Sequence, residues 1–161
     1  MRPEPLSKRH DLSNFDCGVP ALNIWLQTIA NQHQAKLLSR TFVLTDEGTR
    51  AIMGYYALAM RGLSSASDLP EHLGKRLPFQ IPAITLARLA VSVNAQGQGI
   101  GEQLLVDAMT RAKQVAMQIG GNLLFVDAKD MDAARFYLKY GFVPMPGDPL
   151  VLCIPIATIP A

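Results

Sequence analysis

Little in this chain can hold a metal or cycle through a disulfide. It has two cysteines, Cys17 and Cys153, with no C-x-x-C spacing, and three histidines, His10, His33 and His72, that stand far apart. This argues against a disulfide scaffold and offers no metal-ligand set, so both thiols are expected to be reduced and partly buried. Long apolar runs are missing as well: none reaches the roughly 18 residues that a spanning helix needs. Arg2, Glu4, Lys8 and Arg9 interrupt any signal-peptide core, so a cytoplasmic protein without membrane association is expected. Excess charge is also scarce. A net charge of +2 is too small to mark a nucleic-acid binder, though it leaves room for a local basic patch.

What is there suits one globular domain over residues 1–161, long enough to bury a core. Hydrophobic residues make up 49% and charged residues 17%, an apolar surplus that points to an interface. Residues 1–10 read as an extended lead-in. Val19-Pro20 starts a helix with Leu22, Trp25, Leu26 and Ile29 on one face, and 31–39 is a second short helix or a loop. Strands are expected over 41–45 and 51–60, joined by an Asp46-Glu47-Gly48 turn. Residues 62–82 read as loop with at most one helical turn.

An apolar strand (84–93) leads into a helix from Gly99 to about Gln118, ended by Gly120-Gly121. A buried strand (123–126), a helix from Asp130 to Lys139 stopped by Gly141, and a terminal strand (150–156) complete the chain. That order is α+β with one βαβ crossover.

Gln96-Gly97-Gln98-Gly99-Ile100-Gly101 sits on the strand-to-helix junction. Glycine admits φ > 0 and close backbone approach, and the helix start offers unpaired N–H groups with partial positive charge, which together seat phosphate. A Walker A loop is excluded, because Glu102-Gln103 follows where Lys-Ser/Thr is needed. A dinucleotide fingerprint fails on its spacing and on its place in mid-chain.

The remaining phosphate loop, Gln/Arg-x-x-Gly-x-Gly/Ala, is that of the GCN5-related N-acetyltransferases (GNATs). The chain resembles this family strongly, since Leu89-Ala90-Val91 precedes the loop and Phe136-Tyr137-Leu138-Lys139-Tyr140-Gly141-Phe142 follows it. The resemblance implies a mixed, mostly antiparallel sheet with a central splayed strand pair and helices on both faces. It implies acetyl-CoA as cosubstrate and no metal. The N–H groups of Gln98, Gly99, Ile100 and Gly101 would cover the pyrophosphate, with Gln96 closing the loop. Free backbone groups of Leu89, Ala90 and Val91 would pair with the pantetheine and the thioester carbonyl, as an oxyanion-hole donor does.

By the same resemblance Tyr137 is the general acid that gives its proton to the departing sulfur, with Tyr140 as rival. A phenol near pKa 10 is closely matched to a thiol. Asp132, Ala133 and Phe136 lie where the family places the adenine end and pantetheine, although Asp132 also reads as an N-cap. Arg88 is either a structural strand residue or a substrate contact. No general base stands out, since Glu102 and Asp107 read as solvated charges. An α-amine acceptor, already partly neutral at pH 7, fits that absence better than a lysine.

Within the family the chain is similar to the GNAT toxins of type II toxin–antitoxin modules. The similarity rests on Phe15-Asp16-Cys17-Gly18 with Leu22 and Trp25-Leu26, on Thr41-Phe42-Val43, on Gly54-Tyr55-Tyr56-Ala57-Leu58 and on Ile81-Pro82. It continues through Leu86-Ala87-Arg88-Leu89-Ala90-Val91, Val126-Asp127-Ala128 and Phe136-Tyr137. It implies acetylation of the α-amine of aminoacyl-tRNA, a ribbon-helix-helix antitoxin, promoter DNA reached only through the antitoxin complex, and a homodimer, which the apolar terminal strand also suggests. Basic contacts to the RNA would come from Lys8, Arg9, Lys36, Arg40, Lys75, Arg76, Arg135 and Lys139, the last two sharing a helix face. The alternatives are a GNAT for a small-molecule or peptide amine, and a silent coenzyme A-binding or interaction module.

Overall fold

The computed structural model describes residues 2–160, the side chains of Leu63 and Ser64 excepted. β1 (Glu4–Pro5) is a short edge strand, and the Leu6 N–H then bonds to the Thr41 carbonyl at 2.9 Å. α1 (Pro20–Ile24) begins on its proline, where the missing N–H costs nothing. It widens into a π-helical turn (Trp25–Ile29) and resumes as α2 (Ala30–Ala35). The widened turn directs two consecutive residues inward, Trp25 at 4% and Leu26 at 0% exposure. Residues 31–35 thus continue the first helical segment rather than starting a separate one.

β2 (Arg40–Thr45) and β3 (Ile52–Ser65) pair antiparallel from Arg40↔Leu58 to Thr45↔Ile52, with a bulge between Leu44 and Thr45. The expected loop over 62–82 is much shorter in the structure. β3 runs on to Ser65, a 3₁₀ turn (Ala66–Asp68) and α3 (Glu71–Gly74) fill the middle, and β4 (Gln80–Val91) starts early. The Gly and Pro content of that segment hid strand ends that are held by pairing rather than by local preference.

α4 (Ile100–Ile119) follows the glycine loop and ends at Gly120 and Gly121, with φ of +90° and +140°. β5 (Leu123–Asp127) is buried along its first four residues. α5 (Met131–Leu138) is stopped at Gly141, φ +94°. β6 (Val143–Met145) forms in the proline-rich stretch that gave no strand signal, and it pairs with β7 (Asp148–Pro155).

The seven strands run in the order β1-β2-β3-β4-β5-β7-β6. β4 and β5 are parallel, and their register ends at Leu86↔Val126 while β4 continues to Val91, which is the splayed pair expected from the resemblance. β7 lies between β5 and β6, with Leu152 and Cys153 fully buried. Its apolar character therefore belongs to the core, and it gives no support for a dimer surface.

The chain divides into two compact units. The first comprises residues up to Ala59 with Ala87–Ala108, and its core gathers Leu6, Phe15, Trp25, Leu26, Val43, Tyr55 and Ala90. Trp25 stacks on Tyr55 at 6.0 Å, Phe15 meets the same ring edge-on at 5.5 Å, and the Tyr55 hydroxyl donates to the Leu22 carbonyl at 2.8 Å. The second comprises Met60–Leu86 with residues from Met109 onward, cored by Leu69, Ile81, Ala83, Leu123, Phe125 and Cys153. Burial pushes the Cys153 thiol up to about 11, which keeps it protonated and unreactive. No helix among the described residues is long and apolar enough to cross a membrane.

Candidate active site

In the first unit the glycine loop is built by two different uses of glycine. Gly97 and Gly99 both stand at φ +79°, and a Cβ on either would meet nothing within 4 Å. They are glycines for their backbone conformation, and they leave the loop's outer side open. Gly54 on β3 has ordinary φ but no room: a Cβ there would stand 2.8 Å from Leu104 Cδ1, 3.0 Å from the Ala90 carbonyl oxygen and 3.4 Å from Ile100 Cγ2. This close approach sets the first turn of α4 directly against β3 and β4. Ile100, 8% exposed, is the loop's anchor in the core.

Gln96 tethers the loop through its side chain. Its Nε2 donates to the Val91 carbonyl at 3.0 Å and the Cys17 carbonyl at 3.1 Å, fastening the loop's first residue to the end of β4 and to the N-terminal turn. Gln98 reaches back to the Asn94 carbonyl at 3.4 Å. The Gln103 N–H bonds to the Gly99 carbonyl at 3.1 Å, so the helix ladder starts there, with the earlier N–H groups at the positive end of α4. A cleft of about 390 Å³ lies beside the loop, lined by Asp11, Phe15, Asp46, Asn94 and Gln98 among others. Its two carboxylates, Asp11 and Asp46, disfavour phosphate.

Asp107, read from sequence as a solvated charge, accepts a hydrogen bond from Tyr56 and faces Arg2 at 3.9 Å. Its side chain is only 10% exposed, so it is a structural residue. Glu102 stays on the surface.

Arg88 lies over the Trp25 ring, 4.3 Å from its centroid. Leu89 and Val91 are partly exposed along the part of β4 beyond its last pair with β5, and Ala90 is 5% exposed.

In the second unit Tyr137 sits on α5, 7% exposed, with Phe136 at 5.3 Å and Phe142 at 5.7 Å, both edge-on. Burial, and then the negative charge of Asp127, push its phenol up to about 12. Among the described residues its hydroxyl enters no hydrogen bond, so its proton is uncommitted. Tyr140 packs on Phe136 at 5.3 Å and is partly exposed.

The helix is capped by Asp130, whose carboxylate accepts the Ala133 N–H at 2.9 Å. The N-cap reading of Asp132 is therefore wrong: it lies inside the first turn and pairs with exposed Arg135. Lys139 is exposed at the helix end.

Sequence reasoning missed Arg61. Its guanidinium takes both oxygens of Asp127 at 3.0 and 3.2 Å, bonds Thr85 Oγ1 at 3.2 Å and covers the Phe125 ring at 4.4 Å. The available signal was one lone charge of each sign in two otherwise apolar strands. Among the described residues no group of three or more His, Cys, Asp or Glu could hold a metal.

A mixed sheet whose parallel central pair splays, followed by a glycine loop on a helix start, defines an acyl-CoA acetyltransferase fold. Residues 38–144 match the acetyltransferase (GNAT) domain family, and the chain belongs to it as an N-acetyltransferase. It is 36% identical to the tRNA-acetylating toxin of Mycobacterium tuberculosis (strain ATCC 25618 / H37Rv), over 94% of this chain and 90% of that one. Among solved structures it is similar to AtaT complexed with acetyl-methionyl-tRNAfMet, at 32% identity and TM-score 0.90 over 98% of this chain and 95% of that one. It is also similar to a mutant AtaT toxin bound to the C-terminus of the antitoxin AtaR and acetyl-CoA, at 33% identity and TM-score 0.80 over 98% and 94%.

Proposed function

We propose that this chain is a single-domain, acetyl-CoA-dependent toxin that transfers acetyl to the α-amine of aminoacyl-tRNA and so blocks translation. The observation that carries this reading is similarity along nearly the whole chain both to a tRNA-acetylating toxin and to a toxin bound to acetylated aminoacyl-tRNA. A catalytically silent module is disfavoured by an open glycine loop together with an uncommitted tyrosine proton.

In this mechanism the N–H groups of Gln98, Gly99, Ile100 and Gly101 hold the pyrophosphate, with Gln96 and Gly97 shaping the turn. Asp132, Ala133 and Phe136 flank the adenine and pantetheine. Backbone groups of Leu89, Ala90 and Val91 hold the pantetheine amide and polarise the thioester carbonyl. The neutral α-amine attacks the carbonyl carbon. The C–S bond breaks, the sulfur takes the Tyr137 proton, and the amine proton leaves to water, which restores the phenol. An aminoacyl ester's amine is partly neutral at pH 7, so no strong base is needed.

Arg135 and Lys139 would contact tRNA phosphates from α5. The same reading gives a cytoplasmic homodimer, a ribbon-helix-helix antitoxin, and promoter contact through the antitoxin complex.

The test is incubation with labelled acetyl-CoA and total charged tRNA beside a Tyr137→Phe control. Label on charged but not deacylated tRNA, lost in the control, supports the reading. Acetyl-CoA binding without RNA label moves it to a small-molecule or peptide amine. Reversing Arg135 and Lys139 together should weaken tRNA acetylation and leave acetyl-CoA binding intact; unchanged tRNA activity removes that patch.

A further inference from the structure

Arg88 differs from the other well-placed arginines of the chain. Arg9, Arg61 and Arg135 each hold a carboxylate, from Glu4, Asp127 and Asp132. Arg88 is partly buried, yet among the described residues no carboxylate, carbonyl or hydroxyl accepts a hydrogen bond from it. Its guanidinium lies instead on the Trp25 ring, 4.3 Å from the centroid, and Trp25 is fixed in turn by stacking on Tyr55 at 6.0 Å. The aromatic face offsets part of the cost of withdrawing the cation from water. It satisfies none of the five N–H donors, which lie in the guanidinium plane at its edge. A planar cation on a rigid platform, with its donor edge unused, is built for an anion with two oxygens.

The position narrows which anion. Arg88 lies on β4 past the last pair with β5, next to Leu89 and on the far side of Val91 from the glycine loop. At the rise of a strand it stands about 10 Å beyond Val91, at the acyl end of a cofactor whose phosphates occupy the loop. Coenzyme A phosphates are thus at the wrong end. An aminoacyl ester has no free carboxylate, so on the acceptor side the remaining anion is a phosphodiester of the RNA.

We infer that Arg88, carried on Trp25, is a substrate-binding residue that grips a phosphodiester of the single-stranded 3′ end of the acceptor RNA beside the aminoacyl ester. This rests on the aminoacyl-RNA reading of the same site. It assigns the first phosphate contact to the splayed strand, separate from the surface lysines and arginines.

The test compares two acceptors in steady-state acetylation: an aminoacylated cytidylyl-cytidylyl-adenosine trinucleotide, which has phosphodiesters, and aminoacyl-adenosine, which has none. Wild type should prefer the trinucleotide. Arg88→Gln should raise KM for the trinucleotide by about tenfold, the worth of one charge-assisted hydrogen bond. It should leave aminoacyl-adenosine kinetics and acetyl-CoA binding unchanged, so the two acceptors become alike. Arg88→Lys, which keeps charge but loses the planar fork, should recover only part of the preference.

Equal loss on both acceptors would mean that Arg88 supports the fold or the ester and would overturn the inference, as would an unchanged trinucleotide KM. Weakened acetyl-CoA binding would assign Arg88 to the cofactor and overturn it too. A wild type inactive on both acceptors and on charged tRNA would instead remove the underlying reading.

Discussion

The Gln96 side chain bonds the Val91 carbonyl at 3.0 Å and so ties the first residue of the glycine loop to the last residue of the splayed strand. The loop and the strand end, which hold different parts of the cofactor in the proposed mechanism, are thereby set in one geometry. Gln96→Ala removes this bond and the one to Cys17. The expected cost is about 1–2 kcal/mol of stability for two partly exposed hydrogen bonds. Acetyl-CoA affinity should fall about tenfold, because loop and strand no longer arrive pre-set. Calorimetric titration with acetyl-CoA and urea denaturation check the two halves; unchanged affinity would show that the loop holds its shape without the tether.

Two glycines should fail for opposite reasons. Gly54→Ala places a Cβ 2.8 Å from Leu104 and 3.0 Å from the Ala90 oxygen, so it must push β3 away from α4. A loss of about 1–3 kcal/mol is expected, as for overpacked cores, together with weaker acetyl-CoA binding through displaced Ile100. Gly97→Ala meets no atom within 4 Å but must hold φ at +79°, which costs roughly 1–2 kcal/mol. Gly97→Asn, a residue that tolerates this conformation, should recover most of that cost, whereas Gly54→Ser should recover none. Thermal denaturation of the four variants separates clash from strain.

The contrast also shows what was legible in the sequence. Gly97, Gly99 and Gly101 led to the reading of a phosphate loop because their spacing on a strand-to-helix junction has a local meaning. Gly54 carried no such sign, because its reason is Leu104 and Ala90, far away in the chain. The α4 and α5 helices were readable from periodicity and stop signals. The ends of β3 and β4 were not, since pairing extends them into a segment whose composition favours loop. Asp130 took the cap in place of Asp132 because its extended backbone, φ −162° and ψ −179°, lets the carboxylate reach the Ala133 N–H. Arg61 and Asp127 each looked like an isolated charge until the register of β4 and β5 brought Thr85 beside Phe125.

That register makes Arg61 a measurable pair with Asp127. Arg61→Met retains an apolar stem over Phe125 and abandons the hydrogen bonds to Asp127 and Thr85. The Asp127 side chain is 53% exposed, so solvent screens the pair and a loss of only about 1 kcal/mol is expected. A double-mutant cycle with Asp127→Asn should give a coupling of about 0.5–1 kcal/mol that shrinks at high salt. Zero coupling would mean that the Phe125 contact and Thr85 alone hold the guanidinium.

Tyr137→Phe should separate chemistry from folding. The hydroxyl has no hydrogen-bond partner among the described residues, so its removal leaves no orphaned group and stability at neutral pH should hold within about 0.5 kcal/mol. Acetyl transfer should fall at least about 100-fold, with acetyl-CoA affinity retained, if Tyr137 is the proton donor. The pH dependence of stability gives a second, non-kinetic check. Tyr137 is pushed up to about 12 in the folded chain, mainly by burial and then by Asp127, against about 10 unfolded. A raised pKa means that the folded state keeps the proton longer. Its stabilising effect is complete below about pH 10 and is lost as pH rises towards 12. At pH 11 the wild type should therefore have lost about 1 kcal/mol that Tyr137→Phe keeps, while the two should agree at pH 8. Urea denaturation at both pH values measures the difference. A wild type and variant that weaken in parallel would place the phenol in water and overturn its burial in the folded chain.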